Sequence, residues 1–424
     1  MLTRIWRIRL LLMFLLLNGL PLYGQRTTVL VNPFENQTGD RRLDWIGEGL
    51  ATAIADRLTP NRQLYVFGRD ERSAEYERLG IPEPLSISSA TAIRIAWDMG
   101  ADILVTGRTS GEADDFRIDA RVVNLVENSI EVDLTVTGKL DQLLPMAASL
   151  ASRLAPTLVP GSVLPEFDYG ARPPIPRNAF EAFIRGVMSI DSQRRVELLQ
   201  EAIRLHPPYM SAIYQLGLVH YLDSDYDLST QLLERIPPDV PEYPMARFMI
   251  GMNAYHTNDY SRAAAVFSSL GPAYDILVNL GASLAAAGDP ASAISVLKRV
   301  VEQEPPASEA SFNLAYIAFR RGDWDVAATQ LSQFLEARGG DSEVLFLLGQ
   351  TYGRQARSVE SRRLIAQALR QSPPLERWMT QGVPNLLRVR TQFDATELRM
   401  PGGVWNEARK ARKGIAPSSG TSTK

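Results

Sequence analysis

A regular spacing of small residues in the second half of the sequence constrains the fold more than any other feature. Gly217, Gly251, Gly281, Ala315 and Gly349 follow one another at nearly equal steps, of which only the step from Gly251 to Gly281 is shorter. The common step is about 34 residues, a period that is typical of a pair of helices repeated along a chain. Because one helical pair cannot bury its own apolar face, neighbouring pairs must stack into a solenoid. The spacing therefore predicts an array of helical hairpins.

The residues after each small residue predict where one helix ends and the next begins. An Asp that follows Gly or Asn can cap the second helix of a hairpin, and Pro305 and Pro373 can end it. The unit at Gly349 lacks this turn, and the shorter step shortens the unit at Gly251, so we expect distortion in both. The matching turns are Ser224-Asp225-Tyr226, Asn258-Asp259-Tyr260, Gly288-Asp289-Pro290 and Gly322-Asp323-Trp324.

This pattern resembles the tetratricopeptide repeat. The resemblance covers residues 178–373 and includes a degenerate first unit around Gly186 and Leu199. It implies an all-α superhelical solenoid whose concave groove binds a protein or a peptide. Such an array requires neighbouring units to share their cores.

Residues 25–158 follow a different pattern. Thr28–Val31 and Ile103–Gly107 are short apolar runs, and residues 116–122 and 130–136 alternate apolar and polar positions, as strands do. Apolar residues at helical spacing lie between and after these runs, for example at Ile46, Leu50, Ile54 and Leu58. This segment is predicted to be an α/β (α+β) domain in which helices cover a mixed sheet.

The same segment resembles the amino-terminal domain of TolB and its relatives. The residues that carry this likeness are Val31–Asn36, Gly39, Trp45–Leu50 and Gly100–Gly107. The resemblance implies a role in assembly or sensing in the bacterial envelope, and it implies no catalysis.

The beginning of the sequence, residues 1–24, predicts export. Arg4, Arg7 and Arg9 precede the apolar run Leu10–Leu17, and Gly24 offers a small residue for cleavage. This is the pattern of a signal peptide, because the run is shorter than the ~20 apolar residues that span a bilayer. An uncleaved anchor is the alternative. We expect a periplasmic or secreted protein, and no later segment of the sequence predicts a membrane span.

Three further segments flank the two domains. Residues 159–177 are rich in Pro and predict a linker. Residues 374–405 are expected to form capping helices, around Leu386–Leu398, because the end of a solenoid needs a polar cover. Residues 406–424 are basic and then rich in Ser, Gly and Thr, and they predict a disordered tail. This tail could contact anionic lipid, so peripheral association with the envelope stays open.

The sequence predicts no catalytic residue, no metal site and no cofactor. Its three His residues have no ligand spacing, and a net charge of −3 gives no argument for nucleic acid. The run Asp223, Asp225, Asp227 and Glu234 imitates a calcium loop. Leu228 occupies the position where such a loop needs Gly, so we interpret the run as a hairpin turn.

Side chains on the first helix of each unit are the candidate binding residues. The resemblance places them on the concave side, and their aromatic and Met content is typical of binding surfaces. Packing between helices is the alternative for the same rings. The Lys and Asn pairs that clamp a terminal carboxylate in some relatives were not found, so an apolar partner is expected, with acidic groups oriented by two Arg. The candidates are Tyr214, Leu218, Tyr221, Phe248, Met252, Tyr255, Phe312, Tyr316, Phe319, Arg320 and Arg354.

The sequence thus favours an exported, non-enzymatic envelope scaffold or adaptor that binds a protein or peptide in the solenoid groove. The alternative is a sensory or regulatory protein whose N-terminal domain binds a ligand or an envelope component and signals through the repeats. An enzyme has little support, since carboxylates such as Asp114 and Asp115 form no pair of defined geometry.

Overall fold

The structure is a computed structural model that describes residues 26–81, 87–164, 173–302 and 308–391. Contacts divide the chain into two compact units, with the boundary between Pro208 and Tyr209. The predicted signal peptide, residues 165–172 of the predicted linker and the predicted tail lie outside the described residues.

The first unit is built around a mixed sheet, which confirms the expected fold class. Its strands are β1 (Thr27–Val31), β2 (Glu35–Asn36), β3 (Leu64–Val66), β4 (Ile103–Glu112), β5 (Asp115–Asn124) and β6 (Ser129–Gly138). They follow the order β3-β1-β4-β5-β6, and β2 lies beside β4. β1 is parallel to β3 and β4, with Val29 opposite Val66 and Ile103. β4, β5 and β6 are antiparallel.

Helices cover this sheet, and apolar residues at helical spacing predict three of them. They are α1 (Trp45–Leu58), α2 (Arg69–Arg78), α3 (Ser89–Met99) and α4 (Leu143–Leu158). Leu50 and Ile54 of α1 and Leu154 of α4 are fully buried, as is Phe116 of β5. These side chains fill the core because residues four apart on a helix lie on one face. α2 is mostly charged, and no apolar spacing predicts it.

A helical hairpin completes the first unit. It consists of α5 (Arg177–Met188) and α6 (Ser192–Leu205). The ring of Phe180 lies 6.0 Å from the ring of Trp45, edge to face. A Cβ at Gly186 would lie 3.2 Å from the Leu199 side chain, as expected for the small residue of a helical hairpin. The repeat pattern includes this hairpin, whereas its contacts place it in the unit that contains the sheet.

The second unit is a series of helical hairpins, which confirms the predicted solenoid of paired helices. Consecutive helices pair within each hairpin and contact the next hairpin. The hairpins are α7–α8 (Met210–Leu222, Tyr226–Leu233), α9–α10 (Tyr243–His256, Tyr260–Ser268), α11–α12 (Tyr274–Ala286, Pro290–Val301), α13–α14 (Glu309–Arg321, Trp324–Arg338) and α15–α16 (Ser342–Arg354, Ser358–Gln371).

The turns of these hairpins repeat the same backbone. Side chains of Asp225, Asp259 and Asp289 accept hydrogen bonds from backbone N–H groups in the first turn of the second helix. Each turn also holds one residue with positive φ, a conformation that costs little for Gly and more for other residues. The turn of the unit at Gly349 also holds such a residue, although this turn contains no Gly. These residues are Ser224 (63°), Asn258 (63°), Gly288 (89°), Gly322 (77°) and Ala356 (61°).

The end of the second unit differs from the prediction. A 3₁₀ turn (Pro373–Glu376) and the short helix α17 (Arg377–Gln381) follow α16, and residues 382–391 form neither helix nor strand. The prediction of a helix around Leu386–Leu398 is therefore wrong for residues 386–391. Residues 392–398 lie outside the described residues. Pro384 disfavours a helix at the residue before it, and the backbone groups of this segment bond to side chains of the hairpins instead.

Over the described parts of the chain, no helix is both long and apolar enough to cross a membrane.

Candidate functional site

The end of the described chain lies across the first helices of the hairpins. We call the surface formed by α9, α11, α13 and α15 the first-helix face, and residues 382–390 the terminal segment. Tyr255, Asn279, Asn313 and Asp341 come from four successive hairpins, and all of them bond to this segment. The face that the sequence analysis proposed for a partner therefore holds a segment of the same chain.

Two Asn side chains bind the backbone of the terminal segment. Arg388 N–H donates to Oδ1 of Asn313 at 2.7 Å, and Nδ2 of Asn313 donates to the Arg388 carbonyl at 2.8 Å. Asn279 repeats this pattern on Arg390, at 2.6 and 2.9 Å. Residues i and i+2 of an extended chain face the same side. The two pairs of bonds thus indicate an extended chain that crosses from one hairpin to the next.

Carboxylates of the first-helix face neutralise both arginines of the terminal segment. The Arg388 guanidinium lies 2.7 Å from Asp341 and 3.4 Å from Glu343. The Arg390 guanidinium lies 2.8 Å from Asp275 and 3.2 Å from Glu309. Burial opposes ionisation of Glu309, but its own backbone N–H and the Arg390 charge together lower the pKa of this carboxyl. The pairs are partly buried and therefore less screened by salt than pairs at the open surface.

Aromatic side chains complete the contact. The Arg388 guanidinium lies 3.7 Å from the centre of the Phe312 ring, within the range of a cation–π interaction. Hydroxyls of Tyr316 and Tyr255 donate to the carbonyls of Pro384 (2.6 Å) and Leu387 (3.3 Å). Burial, and to a lesser extent the neighbouring Tyr260, raise the pKa of the Tyr255 hydroxyl to about 12. A hydrogen bond with the Asn385 side chain lowers this pKa by a smaller amount. Tyr255 is thus a neutral donor at physiological pH.

The structure distributes the predicted groove residues between two environments. Tyr255, Phe312 and Tyr316 contact the terminal segment, as described above. Phe248 instead lies edge to face with Phe267 of its own hairpin, at 5.7 Å, which is the packing alternative. Of the remaining predicted side chains, Met252 on α9 is buried and Phe319 on α13 is half-buried. Three further half-buried side chains belong to α7, which is outside the first-helix face: Tyr214, Leu218 and Tyr221.

The two predicted arginines are exposed, and each lies against an aromatic ring. Arg320 donates to the Tyr316 hydroxyl at 3.0 Å, and the Arg354 guanidinium lies 5.8 Å from the Trp324 ring. Their predicted role toward acidic groups of a partner stays a prediction.

The Asn and acidic residues that hold the terminal segment were missed, although the repeat period contains their signal. Asn279 and Asn313 are one repeat period apart, and each stands two positions before the small residue of its helix. The carboxylates of Asp275, Glu309 and Glu343 also recur at this period. The sequence predicts a groove for apolar side chains, with Arg320 and Arg354 orienting acidic groups. The structure shows that this face also carries backbone-binding amides and carboxylates.

In the four described ranges, no group of three or more His, Cys, Asp or Glu side chains could hold a metal ion. Asp225, from the run that imitates a calcium loop, accepts a hydrogen bond from the Leu228 N–H at 3.4 Å and caps α8. This confirms the interpretation of that residue as part of a hairpin turn.

Several solved structures are similar to part of this chain. The protein YrrB, described as a tetratricopeptide repeat protein with an unusual peptide-binding site, is 18% identical over 42% of this chain and 94% of its own, with a TM-score of 0.35. PilF of Pseudomonas aeruginosa is 16% identical over 48% of this chain and 97% of its own, with a TM-score of 0.39. A thermophilic repeat protein of Thermus thermophilus is 21% identical over 42% of this chain and 100% of its own, with a TM-score of 0.32.

A search of curated proteins found no match. A family model for the tetratricopeptide repeat matches residues 278–342 and 318–376. These residues include Asn279, Glu309, Asn313 and Glu343. The helical hairpins, the repeated small residues and this match agree, and residues 278–376 of the chain are tetratricopeptide repeats.

Proposed function

We propose that this protein is a non-enzymatic adaptor that binds an extended segment of a partner protein on its first-helix face. One observation carries the proposal: Asn279 and Asn313 each bond to both backbone polar groups of one residue in an extended chain. Binding through the backbone is how a surface accepts an extended peptide whatever its side chains are, with neighbouring pockets adding specificity.

The burial of the two amides supports this proposal. Asn279 and Asn313 are both 0% exposed. A buried amide without a partner costs about 1–3 kcal/mol, so such groups are kept where something binds them. Any chain that replaces the terminal segment must therefore offer an N–H and a C=O at every second residue. An extended peptide meets this requirement, whereas a helix uses its own N–H and C=O groups internally.

A photo-crosslinking experiment tests the proposal. A photoreactive residue at the exposed position 320 is expected to capture a partner in cells that contain the native envelope. The Asn279 and Asn313 amides also hold the terminal segment, so the comparison is made in a chain that carries Arg388→Glu and Arg390→Glu. In that chain the double change Asn279→Ala and Asn313→Ala should reduce the product about tenfold or more, since each lost hydrogen bond is worth about 1 kcal/mol. Mass spectrometry of the product identifies the partner segment, which we expect to be extended.

Asn253→Ala is the matched control. Asn253 is also a buried Asn on a first helix, but its Nδ2 donates to Ser229 and Thr230 rather than to the terminal segment. The control should fold less stably and keep the crosslinked product. A product that survives the double change, or that is lost equally in the control, contradicts the proposed role of the face.

We also propose that the adaptor works in the bacterial envelope after export. The charged start, the apolar run Leu10–Leu17 and Gly24 support a cleaved signal peptide. The likeness of residues 25–158 to the TolB amino-terminal domain supports an envelope location. The sensory alternative, in which this domain binds a ligand and signals through the repeats, stays a prediction.

A further inference from the structure

We propose that the partner segment recognised by this protein carries two arginines on alternate residues of an extended chain, and that the terminal segment competes with it for the first-helix face. This inference rests on the proposed function and adds the chemistry of the ligand. The terminal segment is in this sense an internal copy of the ligand, with the sequence Leu386-Leu387-Arg388-Val389-Arg390.

The acidic residues of the face match that spacing. Asp275, Glu309 and Glu343 lie in the first turn of three successive first helices, at equivalent positions of the repeat. Arg390 lies between Asp275 and Glu309, and Arg388 between Glu343 and Asp341. Each arginine therefore meets two carboxylates. This favours Arg over a neutral side chain, and it disfavours an acidic one by repulsion.

The amides and the carboxylates fix the register together. The residue whose backbone bonds to Asn313 is the residue whose guanidinium bonds to Asp341, and the same holds for Asn279 and Asp275. A ligand shifted by one residue would present the other face of its strand, and its side chains would point away from the acidic pairs. The site thus selects Arg-x-Arg rather than adjacent arginines.

Apolar side chains before the arginines add a second part to the motif. Val383, Leu386 and Leu387 are half-buried and pack against the core clusters of the hairpins. The preferred ligand is then an extended segment with one or two apolar residues directly before Arg-x-Arg.

Binding of a partner requires that the terminal segment can leave the first-helix face. The partly exposed ion pairs of Arg388 and Arg390, and the apolar contacts before them, are the contacts that a competitor must replace. The terminal segment follows α17 directly, so its tether is short and its effective concentration is in the millimolar range, by the usual estimate for short linkers. The concentration of a free peptide must exceed this effective concentration before the peptide displaces the segment. The segment therefore acts as an intramolecular competitor. Weakening the segment should therefore strengthen binding of an added peptide.

The test uses the full chain and a fluorescent peptide that copies residues 382–391. In the full chain, Arg388→Glu with Arg390→Glu removes both ion pairs of the terminal segment and should release it. We expect this released variant to bind the peptide at least tenfold more tightly than the wild-type chain, as measured by fluorescence anisotropy. It should bind a second peptide, with Gln at both arginine positions, at least tenfold more weakly. Arg388→Ala with Arg390→Ala is the milder variant to use if the first loses its circular dichroism spectrum.

Hydrogen exchange of residues 382–391 decides between the outcomes. Unchanged protection in both released variants would mean that the segment is a fixed part of the fold, which overturns the inference. Equal binding of the Arg and Gln peptides overturns the inferred ligand chemistry and leaves the proposed function intact. Release of the segment without binding of either peptide overturns the proposed function itself.

Discussion

At the scale of single residues, several buried polar side chains of this protein have specific partners. Asn279 and Asn313 hold the terminal segment in the second unit. In the first unit, Arg72 of α2 is 3% exposed and its Nη2 lies 2.6 Å from Glu48 Oε2. Nη1 of Arg72 also donates to the Val31 carbonyl at 3.1 Å. A buried charge is tolerated only when it is paired in this way.

Removing one member of this buried pair should destabilise the first unit. We expect Arg72→Met to lower the free energy of unfolding by about 3–5 kcal/mol, because Glu48 loses its main counter-charge while it stays buried. Urea denaturation followed by circular dichroism measures the change.

The double variant Glu48→Gln with Arg72→Met is the control. It removes both charges of the buried pair, so it should recover part of the lost stability, although Arg69 also loses its ion pair with Glu48. A contrary result is a free energy of unfolding of the single variant that lies within about 0.5 kcal/mol of wild type, the usual range of surface substitutions. That result would show that the pair contributes nothing to stability.

At the scale of elements, each hairpin depends on a close approach of its two helices at the small residue. A Cβ built at Gly281 would lie 2.5 Å from Cγ of Leu297, and one at Gly251 would lie 2.7 Å from the Phe267 ring. Leu297 and Phe267 are both fully buried, so they have no room to move. The repeated small residue is therefore a steric requirement of the hairpin, and its period follows the period of the fold.

Gly281→Ala should separate the helices of its hairpin. We expect a loss of about 1–3 kcal/mol of stability from overpacking, larger than the gain of about 0.5–1 kcal/mol from helix propensity. Chemical denaturation of the full chain measures it.

Gly353→Ala, in α15, is the matched control. Its new Cβ would meet chiefly the Ser361 hydroxyl, at 3.1 Å, and Gly353 is exposed. The control should therefore be neutral or slightly stabilising. Equal stability of both variants would contradict the steric account of the period.

At the scale of the whole molecule, the chain combines a mixed-sheet unit and a helical-repeat unit, each with its own buried core. A segment that the sequence assigns to export precedes them. Cleavage of this segment would lower the mass of the protein. The mass of the protein recovered from cells therefore tests the proposed export.

We expect the protein recovered from bacterial cells to begin at Gln25, as shown by intact-mass spectrometry. Leu15→Arg interrupts the apolar run of the signal peptide and should leave the full-length chain in the cytosolic fraction. Recovery of the wild-type chain with Met1 retained would contradict cleavage after Gly24.

Local patterns were enough to predict most elements of both units. Alternation over residues 116–122 and 130–136 predicted β5 and β6, and helical spacing from Ile46 to Leu58 predicted α1. The small residues and the Asp in four of the turns predicted the hairpins. These signals are readable because each depends on residues that lie close together in sequence.

Local patterns do not predict the helix formed by the charged stretch Arg69–Arg78. It has no apolar stripe, and it is a helix because Arg72 and Tyr76 are buried against distant parts of the first unit. Sequence position gives no sign that Glu48 will neutralise Arg72, since the pair forms only when β1, α1 and α2 are assembled.

The sequence by itself determined the repeat, its hairpin turns, the strands of the sheet and the helix face on which a candidate site could lie. Only the tertiary structure decided what lies on that face. Arg390 and Asn279 are far apart in sequence, and their contact exists because stacking brings the first helices side by side and the chain then returns across them. Side-chain periodicity records which residues share a surface, whereas the segment that occupies this surface depends on the path of the whole chain.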